Sequence, residues 1–483
     1  MGIIPLELSI LIRNGRIITS VGDQIADLLV VDGKIAAIGN QLEANAETTI
    51  DAQGMLVLPG GIDPHVHLHL PTPAGYSADD FRTGSIAALM GGTTTIIDFV
   101  TPIRGQSIIE ALKARIDEAA NSLVDYIFHV SPVEWNKNTP NEIEECIEMG
   151  FTSFKIYMAY KDSVGIDDTA LYHVMHTVAK LGGLVTAHCE LGDDIDTLRD
   201  FYANQGLTTP KYHMLSRPSR FEALAVKRAI DLADQTQCPL YIVHVSAAES
   251  VKHIIQAQKS GQPLYAETCP QYLLLDQNLY ETSIPEALKY VMSPPLRQSN
   301  DRDTLWSAMA NGNIQTVGTD HCPFNLEQKM VGKDDFQKVP NGAGGVEHRL
   351  SLLFTYGVLT GKLSLSKLVD VFATQPAKIF GLYPQKGELA IGSVADIVIW
   401  NPNIKRTISS RNHHSKSDIS IYEGFETTGE VALLIKNGKI AVENGKLSGT
   451  LPNGQLLKHQ SARTTSHYYK RMDNSGSYNC GRV

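Results

Sequence analysis

Leu56-Val57-Leu58-Pro59-Gly60-Gly61-Ile62-Asp63-Pro64-His65-Val66-His67 opens the part of the chain that decides the fold. An apolar run of strand length ends on two glycines, a turn and two histidines one residue apart. Seven more strand-like runs follow it: Thr93–Phe99, Asp125–Val130, Ser153–Met158, Leu184–His188, Leu240–Val245, Leu264–Thr268 and Ile314–Gly318. Most are rich in Val, Ile, Leu and Tyr without clean alternation, as expected for parallel strands covered on both faces. Helix-like stretches such as Ile108–Ala120 and Arg220–Ala233 separate them. Eight β-α units over residues 56–385 point to a closed (β/α)₈ TIM barrel of the α/β class. An open doubly wound sheet is the alternative, but no G-x-G-x-x-G follows any of the runs.

Outward from the barrel, the two ends of the chain resemble each other. Leu11-Ile12-Arg13-Asn14-Gly15-Arg16-Ile17 recurs as Leu434-Ile435-Lys436-Asn437-Gly438-Lys439-Ile440. Asn-Gly between β-branched runs signals a hairpin, because both turn residues tolerate positive φ; Val31-Asp32-Gly33-Lys34-Ile35 carries a similar signal. A second echo pairs Ala26–Val31 with Ala395–Trp400. Residues 1–55 and 386–450 are therefore expected to meet in one smaller β-sandwich domain, with the barrel inserted between its halves. Residues 451–483 are polar and are expected to form an extended tail.

The chain of 483 residues is 43% hydrophobic and 19% charged, with a net charge of -10, an ordinary balance for a globular protein. It has no dense Lys/Arg run, so no nucleic-acid or membrane partner is expected, and no apolar run near the roughly 20 residues of a membrane span. No secretion signal is read at the start, and the six cysteines form no C-x-x-C pair, which fits reduced thiols in the cytoplasm.

Reactive residues of such barrels sit at the carboxyl ends of the strands. The runs end in His65 and His67, in His188, in His244 and in Asp320, and the fourth contains Lys155. Histidines with a carboxylate are typical ligands of zinc or similar divalent ions. Alternation along an extended chain would put His65 and His67 on one face. Any one of these histidines is more simply a satisfied core residue; together, at the strand ends of one barrel, they make a metal site. Lys155 inside an apolar strand would bury an ammonium at substantial cost unless paired or neutralised. It reads either as a Schiff-base nucleophile of lowered pKa or as a modified lysine serving as an anionic ligand. Neutral imidazoles bring no negative charge to two dications, which favours the second, since a carbamate supplies a charge and two bridging oxygens. His69 and His129 remain outside the ligand set, each as readily a loop or core residue as a pocket residue.

These motifs, with Gly91-Gly92-Thr93-Thr94, Ser293-Pro294-Pro295-Leu296-Arg297, Gly318-Thr319-Asp320-His321-Cys322-Pro323-Phe324 and Val339-Pro340-Asn341-Gly342, resemble the dihydropyrimidinase/D-hydantoinase branch of the amidohydrolase superfamily over nearly the whole chain. The resemblance implies hydrolytic ring opening of cyclic amides or imides, such as 5,6-dihydropyrimidines and 5-substituted hydantoins, to N-carbamoyl amino acids. It implies His65, His67 and Asp320 on one metal, His188 and His244 on the other, and Lys155 as a bridging N6-carboxylysine. It implies catalytic roles for Asp320 and Tyr160, with Tyr160 holding the substrate carbonyl and its oxyanion, and substrate contacts from Ser293 and Asn341. Two divalent ions, zinc by expectation, and a homotetramer follow from the same source. A sister allantoinase or dihydroorotase is the alternative; a non-catalytic scaffold of the family is disfavoured because all six ligand positions are filled. Two departures stand out: Cys189-Glu190-Leu191 follows His188 where Ala-Glu-Asn is common, and the loop His69–Tyr76 is unusual. Both lie in loops that shape the pocket and leave the ligand positions untouched.

Overall fold

A computed structural model describes residues 6–449, 451 and 453–458; most of the tail expected from residue 451 lies outside the described residues. Eight parallel strands stand side by side in chain order, from Gly61–Asp63 through Thr93–Val100, Asp125–Val130, Ser153–Tyr157, Leu184–His188, Leu240–Ile242 and Leu264–Thr268 to Thr316–Val317. Helices run between them, Ile108–Glu118 and Ser219–Thr236 where the sequence places helices. Arg349 fastens the first strand to the last: its fully buried guanidinium donates to Ile62 O (2.8 Å) and Val317 O (2.9 Å). Asp63 adds a second clasp, accepting from Thr319 N and Thr319 Oγ1 at 3.1 and 2.7 Å. The result is the expected TIM barrel.

The run read as the first barrel strand, Leu56–Ile62, divides. Leu56–Pro59 pairs antiparallel with Ile397–Trp400 in the second sheet, and only Gly61–Asp63 enters the barrel. The changeover at Gly60-Gly61 demands glycine through crowding. A Cβ on Gly60 would lie 2.3 Å from Thr94 Oγ1, and one on Gly61 2.3 Å from Phe372 Cζ. Hydropathy alone does not reveal the break, because both halves are buried.

The second sheet has nine strands drawn from both ends of the chain, with its own core including Ile12, Leu28, Val57, Ile397 and Ile435. Asp32-Gly33 and Asn437-Gly438 form the turns read from sequence, each pair at positive φ. Asn14-Gly15 does not. Leu6–Thr19 is one strand that bulges between Ile12 and Gly15 while pairing with Gly22–Val31. Asn14 N donates to Asp27 Oδ1 at 3.0 Å, so a long-range partner holds the bulge against the local turn preference.

Sheet and barrel meet at the amino end of the third barrel strand through a buried ionic cluster. Asp125 pairs with Lys436 (2.6 Å) and Lys386 (2.7 Å), and Lys386 also with Asp396. Gln455 N donates to the same Asp125 oxygen as Lys436, so the start of the tail packs against the barrel floor. Among the described residues no helix is long and apolar enough to cross a membrane, and Cys146, Cys189, Cys238, Cys269 and Cys322 are buried free thiols.

Candidate metal centre

The carboxyl ends of the strands bring all six candidate ligands to one mouth. His65 Nε2 and His67 Nε2 lie 3.2 Å apart, and Asp320 Oδ1 is 3.2 and 3.3 Å from them. Three ligand atoms thus face one point, a grouping able to hold a metal ion. His188 Nδ1 and His244 Nε2 face each other at 2.9 Å, and the His244 ring lies 5.4 Å from that of His65. Lys155 is fully buried, with Nζ 5.0 Å from the ring centres of both Phe99 and Tyr157. Among the described residues no carboxylate forms an ion pair with it. Burial pulls its amine down to about 8, against the Asp320 and Glu267 charges that favour the ammonium.

The chemistry of this donor set suits metal ions. Two imidazoles back onto carboxylates through their outer nitrogens, the arrangement that orients metal-binding histidines. His65 Nδ1 bonds Glu267 Oε1 at 2.7 Å, and His188 Nε2 bonds Glu190 Oε2 at 2.8 Å. His244 Nδ1 is buried with no hydrogen-bond partner among the described residues, and buried polar atoms seldom remain unsatisfied. Burial would lower the His65 imidazole, but Glu267 and Asp320 outweigh it and raise it to about 9. Glu190 is held at about 2: burial pushes it up, and Arg217, 2.6 Å away, and His188 more than reverse that.

Backbone strain marks the same place. Tyr160, His244 and Asp320 adopt φ of 60°, 40° and 52°. Left-handed conformations cost about 1–3 kcal/mol each for ordinary residues and persist only where surrounding contacts enforce them. The sixth strand ends at Ile242, short of the Val245 read from sequence. Tyr160 stands beside His188, its ring 5.4 Å from the imidazole and under the Arg217 guanidinium. Ser293 Oγ is buried with the Tyr160 hydroxyl beside it, and Asn341 Oδ1 is buried without a partner among the described residues. A cleft of about 220 Å³ opens alongside, lined by Tyr160, Arg217, Gly192, Phe336 and Asn341. None of the six candidate ligands lines it; Tyr160, which does, stands between it and His188.

His69 and His129 lie apart from the ligands. His69 stacks on Tyr76 at 4.0 Å and pairs with Glu118, while His129 is buried between Ser153 Oγ and Pro64 O. Sequence reasoning missed the layer behind the ligands. Glu267 also accepts from His244 N (3.0 Å) and Tyr241 Oη (2.8 Å). His321 accepts from Gly345 N and Val346 N on Nδ1, so its proton sits on Nε2 and points to Asp79 Oδ2 at 3.0 Å. Its carbonyl accepts from His67 N at 2.8 Å, tying one ligand strand to the other. An acidic residue inside an apolar strand, as in Ala266-Glu267-Thr268, is the one signal that could have found Glu267.

Known proteins share this fold and much of this sequence. A sequence model of the amidohydrolase family matches residues 56–441. A D-hydantoinase of Geobacillus stearothermophilus is 43% identical over 451 residues, 93% of this chain and 96% of that one. A dihydropyrimidinase of Rattus norvegicus is 40% identical over 472 residues, 96% of this chain and 91% of that one. The crystal structure of a dihydropyrimidinase from Brevibacillus agri superposes with a TM-score of 0.92 at 42% identity, covering 94% of this chain and 99% of that one. With barrel and relatives in accord, the chain belongs to the amidohydrolase family, in its dihydropyrimidinase and hydantoinase branch.

Proposed function

We propose that this protein opens cyclic amides and imides by hydrolysis, taking 5,6-dihydropyrimidines and 5-substituted hydantoins to N-carbamoyl amino acids. The observation that carries the reading is the convergence of His65, His67 and Asp320 beside His188, His244 and a buried Lys155. It is supported by relatives named D-hydantoinase and dihydropyrimidinase. His65, His67 and Asp320 would hold one divalent ion and His188 and His244 the other, with Lys155 as an N6-carboxylysine between them. Lys155 reaches that state when its neutral amine adds to carbon dioxide and loses a proton, so that an anion replaces a buried ammonium. The ions supply Lewis-acid polarisation of the amide carbonyl and lower the pKa of water to near neutral.

The chain's own groups do the rest. Asp320, held far below the ordinary carboxylate range by the two histidines although burial opposes them, is an ionised acceptor next to the reacting carbon. It takes the proton of the attacking water and delivers it to the ring nitrogen as the C–N bond breaks. The Tyr160 hydroxyl stays protonated, because burial raises it more than Arg217 lowers it, and donates to the oxyanion. Ser293 and Asn341 hold the amide edge of the ring.

Zinc as the ion, a cytoplasmic location and a homotetrameric assembly belong to the same proposal. Metal analysis tests the ion, cell fractionation the location and light scattering the assembly, while intact-mass detection tests the carbamate on Lys155. The function itself is tested by ring-opening assays on dihydrouracil and hydantoin. A fully metal-loaded protein inert toward every cyclic amide in the panel refutes it.

A further inference from the structure

Lys329 lies on the short helix Leu326–Met330, outside the metal centre, yet its side chain turns inward and is fully buried. Its Nζ lies 2.8 Å from Val291 O, 2.7 Å from Pro340 O and 2.7 Å from Gly342 O. No carboxylate pairs with it among the described residues; the Phe324 ring, 5.5 Å away, is the nearest compensation of another kind. An ammonium has three N–H donors, and all three are spent here. A neutral amine has two N–H bonds and a lone pair, so one carbonyl would face that lone pair. Burial pushes this lysine down to about 7, and the three backbone acceptors are the groups that favour its charged form against that cost.

The acceptors lie on two separate stretches of chain. Val291 stands two residues before Ser293, while Pro340 and Gly342 flank Asn341. Gly342 N also donates to Val291 O at 3.1 Å, and Met292 O accepts from His213 Nε2 at 2.8 Å. Asn341 Oδ1 is buried without a partner among the described residues, and the buried Ser293 Oγ faces the Tyr160 hydroxyl. We propose that Lys329 is a positioning residue for ring recognition: its ammonium clamps the Ser293 and Asn341 segments at one fixed spacing, so that their polar atoms meet the N–H and C=O edge of a cyclic ureide or imide together. This inference rests on the reading of Ser293 and Asn341 as ring contacts. Lys329 itself touches neither the ring nor the metal ligands.

The test uses the metal-loaded full-length protein and two variants. Lys329→Met keeps the length of the side chain and removes every donor; Lys329→Gln keeps two donors and is the gentler change. Steady-state kinetics on dihydrouracil should show KM raised about tenfold or more in Lys329→Met and less in Lys329→Gln, with kcat within about threefold, the signature of lost uniform binding. Metal content should be unchanged in both. Amide hydrogen exchange of the unliganded variants should accelerate in 291–294 and 339–343 and not in the barrel strands. An unchanged KM overturns the inference, and so does a loss of metal with faster exchange throughout the barrel, which would make Lys329 a general folding residue. Exchange of the wild type in an equilibrium mixture of dihydrouracil and its ring-opened product separates the two levels. If neither segment gains protection there, the reading of Ser293 and Asn341 as ring contacts fails instead.

Discussion

Replacing Glu267 by Gln should weaken metal binding in a manner that depends on pH. The Glu267 carboxylate is fully buried and accepts from His65 Nδ1 at 2.7 Å, His244 N at 3.0 Å and Tyr241 Oη at 2.8 Å. A glutamine in the same place keeps its carbonyl oxygen toward His65 and His244. Its amide group then faces Tyr241, whose hydroxyl turns to donate to Thr316 Oγ1, 2.6 Å away. Shape and hydrogen bonds survive; the charge does not. A hydrogen bond to a charged group contributes about 1.5–3 kcal/mol against about 0.5–1.5 for a neutral one, so the His65 contact loses roughly 1–1.5 kcal/mol. That is about tenfold in affinity, at the low end of the effects of changing a ligand's supporting residue. A proton effect opposes it. In the metal-free protein Glu267 and Asp320 outweigh burial and raise His65 to about 9, so a proton competes with the ion below that pH. Removing the Glu267 charge lowers the imidazole pKa and relieves the competition. The deficit should therefore approach about tenfold only about one pH unit or more above the His65 value of about 9, where His65 is neutral in both proteins, and should shrink toward pH 7. Chelator-buffered metal titrations across that range measure it. No deficit at the alkaline end, above the His65 value, would refute the orienting role of Glu267, and a deficit constant with pH would refute its coupling to the His65 proton.

Three further outcomes are expected. Lys155→Ala should reduce the bound metal below two ions per chain and abolish ring opening, as read by elemental analysis beside the assay; full metal content in the variant contradicts the bridging role. Tyr160→Phe should lower kcat by about 10²–10³ with metal content intact, if the phenol donates to the oxyanion. Asp125→Asn leaves the buried Lys386 and Lys436 without their shared carboxylate and should destabilise the fold by about 3–5 kcal/mol in denaturant titrations, with little change in kcat. Asp125 is also a site of acid sensitivity. Burial raises its pKa, Lys386 and Lys436 lower it further, and the net folded value lies below the ordinary 3.8. Its contribution is complete above about pH 3.8 and is lost as the pH falls through the lower folded value. Unfolding followed between pH 5 and 2 should show a steeper loss in the wild type than in Asp125→Asn.

Much of the site was legible because it is written in short-range patterns. A barrel strand is a compact apolar run, the chain enters the mouth at its end, and His65, His67, His188, His244 and Asp320 stand at such ends. Lys155 was conspicuous because an ammonium has no ordinary place in an apolar strand. The groups behind the ligands were not legible. Glu267 reaches His65 across 202 residues of sequence, and Lys329 acquires its meaning only from carbonyls on two distant segments. Backbone acceptors leave no trace in residue identity.

The dipeptide Asn-Gly shows the division most plainly. At Asn437-Gly438 it makes the turn that its local preference for positive φ dictates. At Asn14-Gly15 the same pair sits inside one continuous strand, because Asp27 and Asp51 hold Asn14 and because a Cβ on Gly15 would lie 2.5 Å from Val57 Cγ2. The split of Leu56–Ile62 between two sheets has the same origin: both halves are equally apolar, and only their partners differ. By itself the sequence determined the barrel, the shared sheet of the two chain ends and which candidate residues stand at the strand ends, since each rests on local periodicity and residue chemistry. Strand partners, the carboxylates paired with the histidines and the carbonyls gathered around Lys329 were decided by the tertiary structure, because they depend on distances between residues far apart along the chain.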